Sequence, residues 1–256
     1  MYTYNLFEWL LFFYIYCFLG WIIESTIVSI SQKRLINRGF VKGPVLPIYG
    51  SGAIMMLLVG IPFKGHIVLV YILGVICATI LEYITGWLME TILHMKYWDY
   101  SNDKFNYKGR ICLESSLFWG VLTVVLTYIV HTPIENFVLK LVNKEFLAIF
   151  ITIIFVADFT HSFYKVTKFN THLQVISKFR SELDELYAKI KRTGDAEATL
   201  LNNRIKDLTA DYNKYINNVR FFYKDLISSY PKMNSKNFNE SLKTIKSILQ
   251  EKISKH

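Results

Sequence analysis

Charge is scarce over the first two thirds of this 256-residue chain, and the signatures of soluble catalysis are missing throughout. No Walker A, GxGxxG, HExxH or GxSxG pattern occurs, so the chain has no ATP site, dinucleotide loop, zincin helix or nucleophile elbow of its own by these criteria. Its three cysteines, Cys17, Cys77 and Cys112, lie in or beside apolar runs without CxxC spacing. That argues against a disulfide or zinc framework and reads as buried small hydrophobes. No basic n-region or small-residue cleavage site accompanies the first apolar run, which is therefore expected to be a retained helix and not a signal peptide. No cofactor motif is present, and no nucleic-acid partner is expected.

What is present divides in two. The chain is 52% hydrophobic and 16% aromatic, yet its net charge is +9. From Lys165 onward, 18 Lys and Arg face 10 Asp and Glu, a net +8 that carries nearly all of the total. This places a membrane domain at residues 1–168 and a basic cytosolic tail at 169–256. The abundance of Lys, Ile and Asn associates the chain with an AT-rich bacterial genome, and for a bacterial chain the expected location of the membrane domain is the inner membrane.

Apolar runs cover residues 6–30, 46–61, 66–90, 111–130 and 146–164. The first makes ~37 Å of helix, enough to span with tilt. The second makes only ~24 Å and has Pro44 and Pro47 at its mouth, so it either spans or re-enters. Lys33, Arg34, Arg38 and Lys42 follow the first run, and Lys96, Lys104, Lys108 and Arg110 follow the third. The alternate loops hold only Lys64, and Lys140 with Lys144. By the positive-inside rule the N-terminus is outside and the C-terminus cytoplasmic.

The tail predicts helices. Leu173, Ile176, Phe179, Leu183, Leu186 and Ile190 form one stripe, and Thr193-Gly194-Asp195 break it with a Gly and an N-cap Asp. Leu201, Ile205, Leu208, Tyr212, Tyr215, Val219, Phe222 and Leu226 then keep a 4-3 rhythm, which predicts an antiparallel coiled-coil hairpin; should five short spans require a homodimer, this hairpin is its expected contact. A weaker amphipathic helix around Leu242, Ile245 and Leu249 follows Pro231.

A repeat runs beneath the apolar pattern. Gly20, Trp21, Glu24, Lys42 and Gly43 recur at an offset of 66 as Gly86, Trp87, Glu90, Lys108 and Gly109. The expected fold is therefore an all-α polytopic bundle of about five transmembrane helices, made of two parallel helix-pair repeats plus one. Glu24 and Glu90 become symmetry mates around a shared vestibule, or else mark helix-packing stripes with Gly20 and Gly86.

The acids within the runs are the candidate site. Glu24, Glu82, Glu90, Glu114 and Asp158 occupy four runs, and an acid at mid-bilayer costs roughly 2.5–3.5 kcal/mol on insertion scales. Those near the loops reach water cheaply, whereas Glu82 and Asp158 are deeper and call for partners. Asp158 with His161, and Glu90 with His94, have spacings that suit a proton relay or a local hydrogen bond, but no metal-ligand set is complete. Trp21, Trp87, Trp98 and Trp119 suit interfacial anchoring, and the basic tail suits membrane lipids.

The motifs GWxxE at 20–24, Arg38-Gly39-Phe40, Gly43-Pro44, Pro47-Ile48-Tyr49-Gly50, Glu82, Glu90, Trp98-Asp99-Tyr100-Ser101, Asn106, Gly109 and Trp119-Gly120 together resemble the CmpB-like family. That family is labelled "putative ABC-transporter type IV" and comprises multi-pass proteins common in Firmicutes, with relatives in animals. The resemblance covers roughly residues 8–165 and implies a permease that borrows a separate ATPase subunit. Under it, Glu24, Tyr49, Glu82, Glu90, Trp98, Asp99, Tyr100, Asn106, Glu114, Asp158 and His161 line a polar path, with Arg38, Lys42 and Arg110 at its cytoplasmic mouth. Two alternatives stay open: a membrane enzyme acting on a lipid or isoprenoid head group, and a scaffold working through its tail.

Overall fold

The computed structural model describes residues 4–192 and 195–253, and they form an all-helical chain with one two-residue β-ladder. Helix α1, Leu6–Gln32, starts on a capping box in which the Asn5 side chain accepts from the Glu8 amide at 2.9 Å and the Glu8 carboxylate accepts from the Asn5 amide at 2.9 Å. It stops where Lys33 turns left-handed, at φ 51°. Helix α2, Pro47–Gly60, follows, then α3, Ile67–Ile92, and strand β1, Met95–Lys96. Helix α4, Leu113–Val125, runs through a π-helical turn at Leu126–Val130 into α5, His131–Lys140. Pro133 lacks the N–H that would bond the carbonyl of residue 129, and the widened turn just ahead of it takes up that mismatch. Helix α6, Lys144–Ile190, then continues without interruption into the tail.

Among the described residues four helical stretches are long and apolar enough to cross a membrane: α1, α3, α4 with α5, and α6 up to its polar half. The remaining apolar element, α2, has 14 residues and so makes ~21 Å of helix, short of a ~30 Å hydrocarbon core. The difference from the expected five full spans has a local cause. The Leu46 amide donates to the Cys17 carbonyl at 2.9 Å, so α2 begins halfway along α1. The approach is close because Gly50 lies on Cys17 and Phe13, where an added Cβ would sit 2.4 Å from the Cys17 sulfur. Residues 40–46 are thereby drawn into the bundle, and α2 covers only the half away from the tail. Leu11, Phe12, Ala53, Met56, Leu57 and Leu126 pack there in one core, and Lys144 closes it by pairing with Glu8 at 2.7 Å.

A second core occupies the tail end. Helices α7, Asp195–Ser229, and α8, Asn239–Ile253, pack on the polar half of α6 and on the interhelical loops. Phe40 and Val41 from the first loop and Leu93, Met95 and Tyr97 from the third join Phe169, Leu173, Ile176, Ile216, Met233, Leu242 and Ile245. Strand β2, Asn234–Ser235, pairs antiparallel with β1. The expected boundary at residue 168 thus falls inside both an unbroken helix and a continuous core. The expected break at Thr193 and Gly194 lies outside the described residues, as does the Asp195 side chain on which its N-cap role rests; α6 ends at Ile190 and helix resumes at Asp195.

Helices α6 and α7 are antiparallel, as the pairs Lys165–Tyr223, His172–Tyr215 and Glu182–Arg204 show. The seam departs from the expected heptads. Its inward positions recur every 11 residues, as Leu201, Tyr212 and Tyr223; Ile205, Ile216 and Ile227; and Leu208, Val219 and Tyr230. Phe222, expected inside, is 68% exposed. Eleven residues over three turns is about 3.67 per turn, which removes the left-handed supercoil that a heptad seam requires. Replacing fully buried Ile216 by Ala is expected to cost about 2–5 kcal/mol, and Phe222→Ala less than about 0.5 kcal/mol. Melting temperatures in detergent read both; equal losses would restore the heptad register.

Candidate functional site

Between the two cores lies a cavity of 330 Å³. Its lining comes from α1, α2, α3, α4, α6, the first and third loops and the tail. Glu24 is from α1, Arg38, Phe40 and Leu46 from the first loop, and Tyr49 and Ser51 from α2. Glu82, Thr85 and Met89 come from α3, Tyr97, Trp98 and Tyr100 from the third loop, Trp119 from α4, Phe159 from α6, and Tyr230 from the tail.

The third loop aims its residues by local hydrogen bonding. Asp99 accepts from the Ser101 amide at 3.0 Å, Asn106 donates to the Asp103 carbonyl at 2.8 Å, and the Tyr100 amide donates to the Gly109 carbonyl at 2.9 Å. Gly109 is required there, because its φ is +67° and an added Cβ would meet Asp99 Oδ1 at 2.5 Å. Trp98 and Tyr100 of this loop both line the cavity. Asp99 instead accepts from Asn234 of the tail at 3.2 Å. Burial alone would raise the Asp99 pKa, but the Ser101 bonds, the Lys96 charge and the Asn234 bond together outweigh it and hold the carboxyl below its ordinary range. Trp98 is fixed by its indole N–H, which donates to the Arg110 carbonyl at 2.8 Å.

Three acids are handled in three ways. Glu90 is sealed. Arg110 grips it in a fork, Nε to Oε1 at 3.0 Å and Nη2 to Oε2 at 2.7 Å, while Lys96 stands 4.0 Å away. These bonds to Glu90 raise the Arg110 pKa further, against a smaller opposing effect of burial. Glu24 is shared: it accepts from Tyr49 at 2.9 Å and from Arg38 at 3.4 Å. The Arg38 guanidinium also stacks 4.5 Å over the Tyr230 ring and donates to the Ser229 carbonyl, so the tail holds it from the other side. Glu82 accepts only from neutral groups, Tyr100 at 2.9 Å, Ser115 at 2.9 Å and the Trp119 indole at 3.1 Å. Among the described residues, no Lys, Arg or His forms an ion pair with Glu82. Burial, then the Glu82 charge, raises the Tyr100 pKa, so the phenol stays a donor.

The structure thus brings together Glu24, Arg38, Tyr49, Glu82, Trp98 and Tyr100 of the sequence candidates. Glu90 and Arg110 lie beside the cavity as a closed pair, and Asp99 and Asn106 shape the loop. Asp158 takes the Lys42 and Gly43 amides, at 3.2 and 2.7 Å, and so pins the first loop to α6. Lys42, Glu114 and His161 are exposed and outside the lining. His94 lies past the end of α3 with φ 53°, while the oxygens of Glu90 go to Arg110 and Lys96. Among the described residues no group of three His, Cys, Asp or Glu is placed to hold a metal ion.

Several lining residues escaped sequence reasoning. Trp119, expected at the lipid interface, turns inward to Glu82. Tyr97, Phe159 and Tyr230 carry no motif that would have singled them out; for Tyr230 the one local signal is the Pro231 that stops α7. Truncating Arg110 to Ala is expected to cost about 3 kcal/mol, because it leaves Glu90 buried beside only a distant Lys96. A Glu90→Leu/Arg110→Leu double variant should lose less, and thermal unfolding in detergent compares the two.

A family model described as putative ABC-transporter type IV matches residues 11–163. No curated protein and no solved structure matches the chain. The matched span contains every cavity-lining residue except Tyr230.

Proposed function

The chain belongs to the putative ABC-transporter type IV family, and from that premise we propose that it is a permease-type membrane component whose solute enters the cavity at the tail end. The observation that carries this reading is Glu82, a carboxylate set in an apolar helix, lining a cavity and provided with neutral donors but no cation. An intramembrane acid that faces a cavity and has no charged partner in the fold marks a substrate or ion path. Because the sequence has no Walker A motif, ATP hydrolysis belongs to a separate subunit in this reading.

The tail faces the cytoplasm, following the Lys and Arg in the first and third loops. Duplication remains part of the proposal: α2 and α4 begin at Pro47 and Leu113, which keeps the 66-residue offset (113 − 47 = 66). The two helix pairs have diverged in their acids, since Glu24 reaches the cavity and its counterpart Glu90 is sealed by Arg110. A homodimer through the tail would use the outer face of α7, where Phe221 and Phe222 are exposed, because α6 already covers the inner seam. Membrane lipids surround the apolar face of α6, where Phe146, Ile149, Ile153 and Val156 point outward.

Cells producing the wild-type chain and cells producing Glu82→Gln should differ in the content of a small solute while their lipids stay chemically the same. Metabolite and lipid profiling of the two strains, with membrane insertion checked by immunoblot, makes the comparison. A covalently altered lipid specific to the wild type would move the assignment to head-group chemistry. Identical profiles would remove the permease reading.

A further inference from the structure

We infer that the cavity takes an organic cation, an ammonium-type group carried on an apolar body, with Glu82 as its counter-ion. The inference rests on the reading of this cavity as the solute site and adds the chemical class of that solute.

The cavity already contains one instance of the chemistry. At Glu24 the fold supplies its own cation: Arg38 lies between the carboxylate, 3.4 Å away, and the face of Tyr230, 4.5 Å from the ring centroid. Acid and aromatic face together hold a guanidinium. At Glu82 the same two components recur without the third. Trp119 and Tyr100 bond its oxygens, and Tyr49 lies against Trp119 with ring centroids 5.7 Å apart. Across the lining, Phe159, Phe40, Tyr97 and Tyr230 follow one another at centroid distances of 5.5, 5.8 and 4.7 Å. A cation between a carboxylate and aromatic faces gains from both, and the gain grows as water is excluded.

The walls also decide what kind of cation. Hard metal ions take six or more oxygen ligands. Around Glu82 the nearby hydroxyls of Tyr100 and Ser115 are committed as donors to the carboxylate, and beyond Ser51, Thr85 and the Glu24–Arg38–Tyr49 group the lining is aromatic and aliphatic. Such walls suit an ion that keeps carbon around its charge. Anions are disfavoured, because the one lining cation, Arg38, is already engaged by Glu24 and by the Ser229 carbonyl. A volume of 330 Å³ lies within the range of small-molecule pockets.

The test uses the purified full-length chain in detergent and two probes of nearly the same shape. Benzyltrimethylammonium carries the charge, and neopentylbenzene replaces its nitrogen by carbon. Tryptophan fluorescence reports binding, since Trp98 and Trp119 line the cavity. The cation is expected to bind about tenfold or more tightly than its neutral isostere, and Glu82→Gln should remove that preference. The comparison of the two probes on the wild-type chain stands even if Glu82→Gln fails to fold. Equal affinities, no binding of either probe, or an undiminished preference in a folded Glu82→Gln chain would overturn the organic-cation assignment. A wild-type-specific solute in the profiling experiment would leave the permease reading intact in each of those cases, and its absence would remove that reading separately.

Discussion

The depth at which α2 begins governs the rest of the structure. One backbone hydrogen bond, from the Leu46 amide to the Cys17 carbonyl, sets that depth, and the missing side chain of Gly50 makes the contact sterically available. Had α2 begun level with the end of α1, helix would fill the tail-end half of the bundle. Instead an irregular segment enters there. Non-helical backbone at such depth is tolerated only where protein or a cavity satisfies its polar groups. Both occur here. Asp158 takes the Lys42 and Gly43 amides, and the Asn37 side chain donates to the Lys42 carbonyl at 2.8 Å. The remaining space is the cavity.

Electrostatics then sorts the acids by how fully each is compensated. A carboxylate removed from water needs an opposite charge, several donors, or both. Glu90 has a guanidinium fork, and Glu24 has a shared guanidinium and a phenol. Glu82 has three neutral donors. The gradation follows position: Glu90 faces the loop that supplies Arg110, whereas Glu82 lies two helical turns deeper, beyond the reach of that loop's basic residues but not of Tyr100. The tail belongs to this arrangement through Tyr230, which donates to the Arg38 carbonyl at 3.0 Å and presents its ring to the guanidinium.

Much of the architecture was legible in the sequence. Apolar length marks α1, α3, α4 and α6, and the doubtful length of the second run foreshadows a helix that falls short of spanning. The acids stood out because a charge in an apolar run has few bland explanations. What could not be read depends on contacts distant in sequence. The 66-residue echo suggests that Glu24 and Glu90 face one cavity, yet Arg110 lies outside the echo and withdraws Glu90. A 4-3 rhythm and an 11-residue rhythm agree from Leu201 to Tyr212, then diverge, and only packing against α6 places Ile216 and Tyr223 inside in place of Phe222. The shift in charge near residue 168 marks a change of composition, and a truncation there would cut more than the tail. The shared core through Phe40, Met95 and Phe169 means that such a cut removes the cover of the loops that shape the site.

Helix α6 has one further consequence, and it is mechanical. Its 47 residues form a single rod of ~70 Å, anchored near one end by Lys144 to Glu8 and pinned partway by Asp158 to the first loop. A rod pinned partway along is a lever. Tilting it by about five degrees moves the far end of a ~70 Å helix by roughly 6 Å relative to the near end, given its rise per residue. The pin is next to Phe159, which lines the cavity. Phe159 sits at the fulcrum and moves least, whereas the tail, which carries the lining residue Tyr230, moves with the far arm.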